Sequence, residues 1–131
     1  MPVGQAVFGV KFQLSASTAL EFKAYGTDYV DIGNHRHTTA ILLLPDAGVV
    51  PWSALSFAAI NNDSWAQVID ENPEVFLLGT GTQQRFIHPK HTQALLAAGI
   101  AVECMNLGAL CRTFNILRSE DRRVAAAIVF Q

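Results

Sequence analysis

Val75-Phe76-Leu77-Leu78-Gly79-Thr80-Gly81 is the stretch on which the fold turns: four apolar residues in succession, then Gly-Thr-Gly. A strand with one wet face alternates apolar and polar residues, so an unbroken apolar run bounded by turn residues fits a strand buried on both faces. That is the condition of a parallel strand covered by helices. Glycines directly after such a strand mark the place where the chain leaves the sheet at its carboxyl end. The stretch therefore predicts a parallel strand over 75–78 and a loop that begins at Gly79.

The segments on both sides of this strand change to helical spacing. Upstream, Asp63 or Ser64 is a candidate cap for a short helix that buries Trp65, Val68 and Ile69, and Pro73 prevents its continuation. Downstream, Pro89 suits the first position of a helix and Gly99 its left-handed exit, with His91, Ala94, Leu95 and Ala98 on one stripe. A second parallel strand follows over 100–104. Asn106 then caps a third helix whose Leu107, Leu110, Cys111, Phe114 and Leu117 make an apolar face, and residues 124–130 supply a last strand. The order is αβαβαβ.

The first part of the chain reads differently. Residues 18–52 form a meander: 20–25 alternates, 29–32 follows, and 38–44 becomes a continuous apolar run as a third strand inside a sheet. Gly26-Thr27-Asp28, Gly33-Asn34 and Pro45-Asp46-Ala47-Gly48 separate the pieces, because these residues accept turn geometry at low cost. A short strand over 49–52 ends near Pro51, and residues 55–62 have no clear element. The expected architecture is an α/β domain with helices covering a mixed central sheet and an N-terminal β meander. Residues 1–17 are expected to be an N-terminal extension and residues 18–131 a single domain.

Composition narrows the function classes. The chain has 131 residues, half of them apolar and 15% charged, with a net charge of −2. Such a chain buries enough surface to offset its ordering entropy, which excludes disorder. It carries no run of Lys or Arg, and nucleic acid is recognised by clustered cations that displace counterions, so nucleic acid is excluded as a partner. No apolar stretch approaches the roughly 18 residues of a membrane span. Residues 1–14 hold one Lys and no Arg, unlike the cationic start of a secretory signal, and a cytoplasmic location is expected. Cys104 and Cys111 have no second pair to complete a zinc set or a disulfide framework, so both are expected reduced and buried.

Five segments, in order, resemble a known family: Pro73-Glu74-Val75-Phe76-Leu77-Leu78-Gly79-Thr80-Gly81; Gln84-Arg85-Phe86; Gly99-Ile100 with Val102-Glu103; Cys111-Arg112-Thr113-Phe114-Asn115-Ile116-Leu117; and Arg122-Arg123-Val124-Ala125-Ala126-Ala127. Val49-Val50-Pro51-Trp52 extends the match upstream. The family is that of the small, largely uncharacterised Mth938-like domains, whose eukaryotic members include the mitochondrial complex I assembly factor 3 and an adipogenesis-associated cytosolic protein. The resemblance implies a three-layer β+α/β/α fold around a mixed sheet. It also implies a non-catalytic protein-interaction or respiratory-complex assembly-type role with an unidentified protein partner; no cofactor or metal is expected. Two positions depart from the family pattern: Asn106 stands where Asp is frequent, and Phe114 where Tyr is frequent.

Chemistry, if any, is expected beyond the carboxyl ends of the parallel strands, where open α/β sheets hold their ligands. Residues there are Gly79, Thr80, Gly81, Gln84, Arg85, Asn106 and Arg112. Successive backbone N–H groups around Gly79-Thr80-Gly81 beside Arg85 favour a small anion. The alternative function is thus small-anion or small-molecule binding, with or without catalysis, in a crevice over residues 79–85. A purely structural account of the same residues stands beside it: glycines for a tight turn, Arg85 to fix its loop, and Arg112 as a clamp with Glu103 as its partner. The His35/His37 and His88/His91 pairs lie far apart in sequence and His91 belongs to an apolar stripe, which argues for a core role over a metal. No serine stands in a Gly-x-Ser-x-Gly elbow and no catalytic residue is assigned.

Overall fold

The computed structural model describes residues 20–131. Three short strands come first, β1 (Phe22–Tyr25), β2 (Val30–Ile32) and β3 (His35–His37), and form an antiparallel sheet in that order. β4 (Ile41–Leu44) and β5 (Gly48–Pro51) then pair antiparallel in a different sheet. A 3₁₀ turn over Phe57–Ala59 and another over Asn62–Trp65 lead into α1 (Ala66–Glu71) and β6 (Val75–Thr80). After a loop and a 3₁₀ turn over Pro89–His91 come α2 (Gln93–Ala97), β7 (Val102–Met105), α3 (Leu107–Ser119) and β8 (Val124–Val129).

The central sheet has five strands in the order β5-β4-β8-β6-β7. β6 runs parallel to both neighbours, with Leu78 beside Cys104 on one side and beside Ala127 on the other, while β4 is antiparallel to β8. The apolar runs are continuous because alternate residues feed two cores. Leu42, Leu44, Phe76, Leu78, Ala125 and Ala127 pack with Trp52, Trp65, Val68 and Leu95 on the face covered by α1 and α2. Ile41, Leu43, Leu77, Ala126 and Ile128 pack with Leu107, Leu110, Phe114, Phe22, Val30 and Ile32 on the face covered by α3 and the meander. The layers are therefore β+α, β and α, around a mixed sheet.

Several local expectations are corrected. The third strand of the meander is not the run predicted over 38–44: β3 closes the meander at His37, ahead of that run, and Ile41–Leu44 within it belongs to the central sheet, where it is buried throughout. Gly79 and Thr80 are the last residues of β6, paired with Ile128 and Val129, and the loop begins at Gly81. The upstream cap is Asn61, which accepts from Asp63 N while Ser64 Oγ accepts from Asn61 N, a reciprocal box that starts the helix three residues early as a 3₁₀ turn. Of the stripe predicted around His91, only Leu95 is fully buried and Ala98 is exposed, since α2 is too short to present a long face. Cys111 is buried but Cys104 is only half-buried, on a strand at the sheet edge. The extension expected over residues 1–17 lies outside the described residues. Among the described residues no helix is long and apolar enough to cross a membrane.

Candidate functional site

β6 is followed by α2 on one face of the sheet and β7 by α3 on the other, so the chain leaves these two adjacent strands in opposite directions. This divergence defines the crevice in which α/β domains bind ligands. Here the chain fills it. Leu107 N donates to Gly81 O at 2.8 Å, joining the loop after β6 to the start of α3. The Thr80 hydroxyl, on a residue only 3% exposed, donates to Gln83 O at 2.6 Å and accepts from Arg85 N at 3.1 Å. Gln84 Nε2 donates to Cys104 O at 2.8 Å. Groups that in an open crevice would meet a ligand are here spent on one another.

The seven candidate residues do not face one crevice. Gly79 is buried, and a Cβ there would lie 3.0 Å from Leu110 Cδ1, so its glycine serves the close approach of α3. Gly81, at φ +82°, turns the chain out of β6. Gly81, Asn106 and Arg112 line a pocket of about 400 Å³ on the α3 face, whose opposite wall is Tyr25, Gly26 and Thr27 of the β1–β2 turn. Arg85 lies toward the other face, its guanidinium 5.2 Å from the centre of the Phe57 ring, which packs on the α1/α2 core, and Gln84 is held on the backbone of β7. The eight-residue loop over 81–88 cannot be assigned to one face from spacing alone, and it crosses the end of the sheet.

Within the α3-face pocket, Asn106 accepts from Ala109 N at 2.9 Å, so its side-chain oxygen is committed to capping. Arg112 is exposed and, among the described residues, its side chain makes no hydrogen bond or ion pair, with Glu103 or otherwise. The clamp assigned to Arg112 belongs to Asn115, whose side chain bonds both backbone groups of Phe22 at 2.9 Å. Gly108 is glycine because a Cβ would lie 2.7 Å from the Tyr25 hydroxyl. Neither Tyr25 nor Gly108 is marked by a motif, and the contact between them joins distant parts of the chain.

The titratable candidates divide in the same way. Burial pushes the Cys111 thiol up to about 12 against a smaller opposing effect of the Arg112 charge, and burial likewise raises Cys104. Neither thiol is poised as a thiolate nucleophile near neutral pH. The His88 and His91 rings are 6.5 Å apart, His91 is half-buried rather than in the core, and its carbonyl accepts from Trp65 Nε1 at 2.7 Å. Among the described residues no three His, Cys, Asp or Glu side chains gather at one point.

A second concavity lies beside β7, a groove of about 490 Å³ between that strand, residues 86–89 and α2. Phe86 and Leu96 on its walls are each 77% exposed. Residues 84–86 stand out in the sequence as a family segment, but nothing in their spacing shows that Phe86 turns outward.

Residues 22–129 match the family described as "Protein of unknown function (DUF498/DUF598)". The chain belongs to this family. Its DUF498/DUF598 domain is 31% identical over 113 residues to the mouse protein named NADH dehydrogenase [ubiquinone] 1 alpha subcomplex assembly factor 3, covering 85% of this chain and 60% of that protein. The chain thus spans about three-fifths of that relative's length. The crystal structure of a Bordetella parapertussis protein is similar, with 38% identity, a TM-score of 0.77, and coverage of 86% of this chain and 97% of that one. The solution structure of a Bordetella pertussis protein described as a Mth938-like domain has 33% identity, a TM-score of 0.71, and coverage of 86% and 87%. The Mth938-like β+α/β/α architecture of the DUF498/DUF598 chain follows from both the layers and these likenesses.

Proposed function

We propose that this domain is a non-catalytic interaction factor of the assembly type, which binds a protein partner through the surface beside β7. The observation that carries it is the pair Phe86 and Leu96, each 77% exposed on either side of an apolar groove. Single exposed apolar residues are ordinary, but two large ones flanking a concavity mark a binding surface. The closed switch-point crevice supports the same reading, because the hydrogen-bonding groups there are satisfied within the chain. Similarity to the mouse assembly factor supports the class of role and leaves the partner unnamed. The cytoplasm is the compartment we assign, supported by two free cysteines, which a reducing compartment preserves. Affinity purification from the native host tests the proposal: the wild-type chain recovers a partner that Phe86→Ser with Leu96→Ser does not. Equal recovery by both would contradict it.

A second reading, small-anion binding, is favoured by Arg112, an exposed cation on the 400 Å³ pocket that it shares with Gly81 and Asn106. It differs from the crevice over residues 79–85 in excluding Arg85. Anion binding there raises the melting temperature in phosphate over chloride at matched ionic strength, and Arg112→Ala abolishes the difference while Arg85→Ala preserves it.

A further inference from the structure

We infer that the surface beside β7 takes an extended peptide as an added strand, apolar at alternate positions and basic where it passes Glu103. The inference rests on the interaction reading above and specifies how the partner is held. β7 is the last strand of its sheet, so its outer side has no strand partner among the described residues. Edge strands normally carry a guard against such pairing, a Lys, a Pro, a bulge or a cover. The other edge of this sheet, β5, ends in Pro51, and the meander's edge β3 reads His-Arg-His. β7 reads Val-Glu-Cys-Met, with neither Lys nor Pro, and the one side chain that bonds its backbone from the loop after β6 is Gln84, at Cys104 O.

An added strand places alternate side chains on one face, and the groove along β7 offers an apolar receptacle for them between Phe86, Leu96 and Ile100. Backbone pairing then supplies affinity and the groove selects side chains. Glu103 is the sole charged residue lining the groove, on the face of β7 opposite Val102 and Cys104; it is exposed and makes no ion pair among the described residues. An opposite charge directly across two strands is favourable, which assigns a Lys or Arg to the peptide position facing it.

Size and charge favour a peptide over a second copy of the chain. Phe86, the larger of the two exposed apolar side chains, offers about 150–250 Å² when buried, a small part of the roughly 800 Å² per partner found in stable complexes. A two-fold pairing of β7 with itself centred on Glu103 also brings two Glu103 carboxylates close together, where like charges repel.

The test uses the full chain and three fluorescent peptides: alternating Val and Lys, alternating Val and Glu, and the Val-Lys peptide N-methylated at alternate residues. The Val-Lys peptide is expected to bind saturably, with backbone NMR shifts confined to residues 86–104. Phe86→Ser or Leu96→Ser, both at exposed positions, weakens it about tenfold, and Glu103→Lys reverses the preference to Val-Glu. N-methylation of the edge that pairs abolishes binding. No saturable binding, shifts on another surface, full binding of the methylated peptide, or an unchanged preference in Glu103→Lys would each overturn the inference. So would sedimentation showing a dimer that Leu96→Ser dissociates, which assigns the face to a second copy. Peptide failure with a partner still lost in the Phe86→Ser and Leu96→Ser double variant removes the strand mode and leaves the interaction reading standing.

Discussion

Asn115 of α3 holds Phe22 of β1 by both of its backbone groups: Asn115 Nδ2 donates to Phe22 O and Phe22 N donates to Asn115 Oδ1, each at 2.9 Å. The amide completes the backbone where the register of β1 against β2 slips between Phe22 and Ala24. A partly buried N–H and C=O are satisfied by one side chain 93 residues away, which ties the meander to the helix. Asn115→Ala is expected to cost about 1–3 kcal/mol and to raise amide exchange over residues 20–37 more than in the central sheet. Uniform exchange across both sheets would show that the meander is not held this way.

Phe114, one residue earlier, supports the same junction by packing. Its ring meets Phe22 edge to face at 5.3 Å and it is 1% exposed. Phe114→Ala should destabilise by about 3–5 kcal/mol through the cavity left under α3. A loss below about 1 kcal/mol in denaturant melts would contradict that packing.

Much of this was legible in the sequence, and what was not has a common physical cause. The run 75–78, the Asn106 cap and the apolar spacing of α3 are local signals, and the structure contains all three. The split of 18–52 between two sheets was not legible, because antiparallel strands of either sheet alternate alike and pairing partners lie far along the chain. The candidate site suffered most. Whether Arg85 or Arg112 joins Gly81 depends on which face the loop crosses to, and Tyr25 meets Gly108 only through the tertiary fold.

Thr80 is expected to be structural. Its hydroxyl serves Gln83 O and Arg85 N, so Thr80→Val, nearly equal in shape, leaves both groups without that partner and should cost about 1–3 kcal/mol. The loss should be the same in phosphate and in chloride, as measured by thermal melts at matched ionic strength. A loss that appears only in phosphate would return this residue to an anion site.

The opposite end of the sheet carries a pH-sensitive corner. Hydrogen bonds from the Arg123 guanidinium hold the Asp46 carboxyl below its usual 3.8, and the Arg123 backbone N–H, then the Arg122 side chain, hold Glu74 below its usual 4.5. Because the folded state binds these protons less readily than the unfolded state, the stabilisation is present above about pH 4.5 and is lost as pH falls through the lower folded values. The groups are exposed, so the effect is small and weakens with salt. Melting temperature should fall below pH 4.5 less steeply in Arg123→Ala than in the wild type. Identical slopes would show that this corner is uncoupled from stability.

A partner on the groove beside β7 can be caught by photo-crosslinking in the native host, with a photo-reactive residue in place of Leu96 or, on a second chain, in place of Ile116. Both positions are exposed and apolar, at 77% and 58%, but Ile116 lies on α3 away from the groove. A partner held there gives one discrete protein adduct at position 96 and none at position 116. Equal crosslinking at both positions, or an adduct at 116 alone, would contradict it.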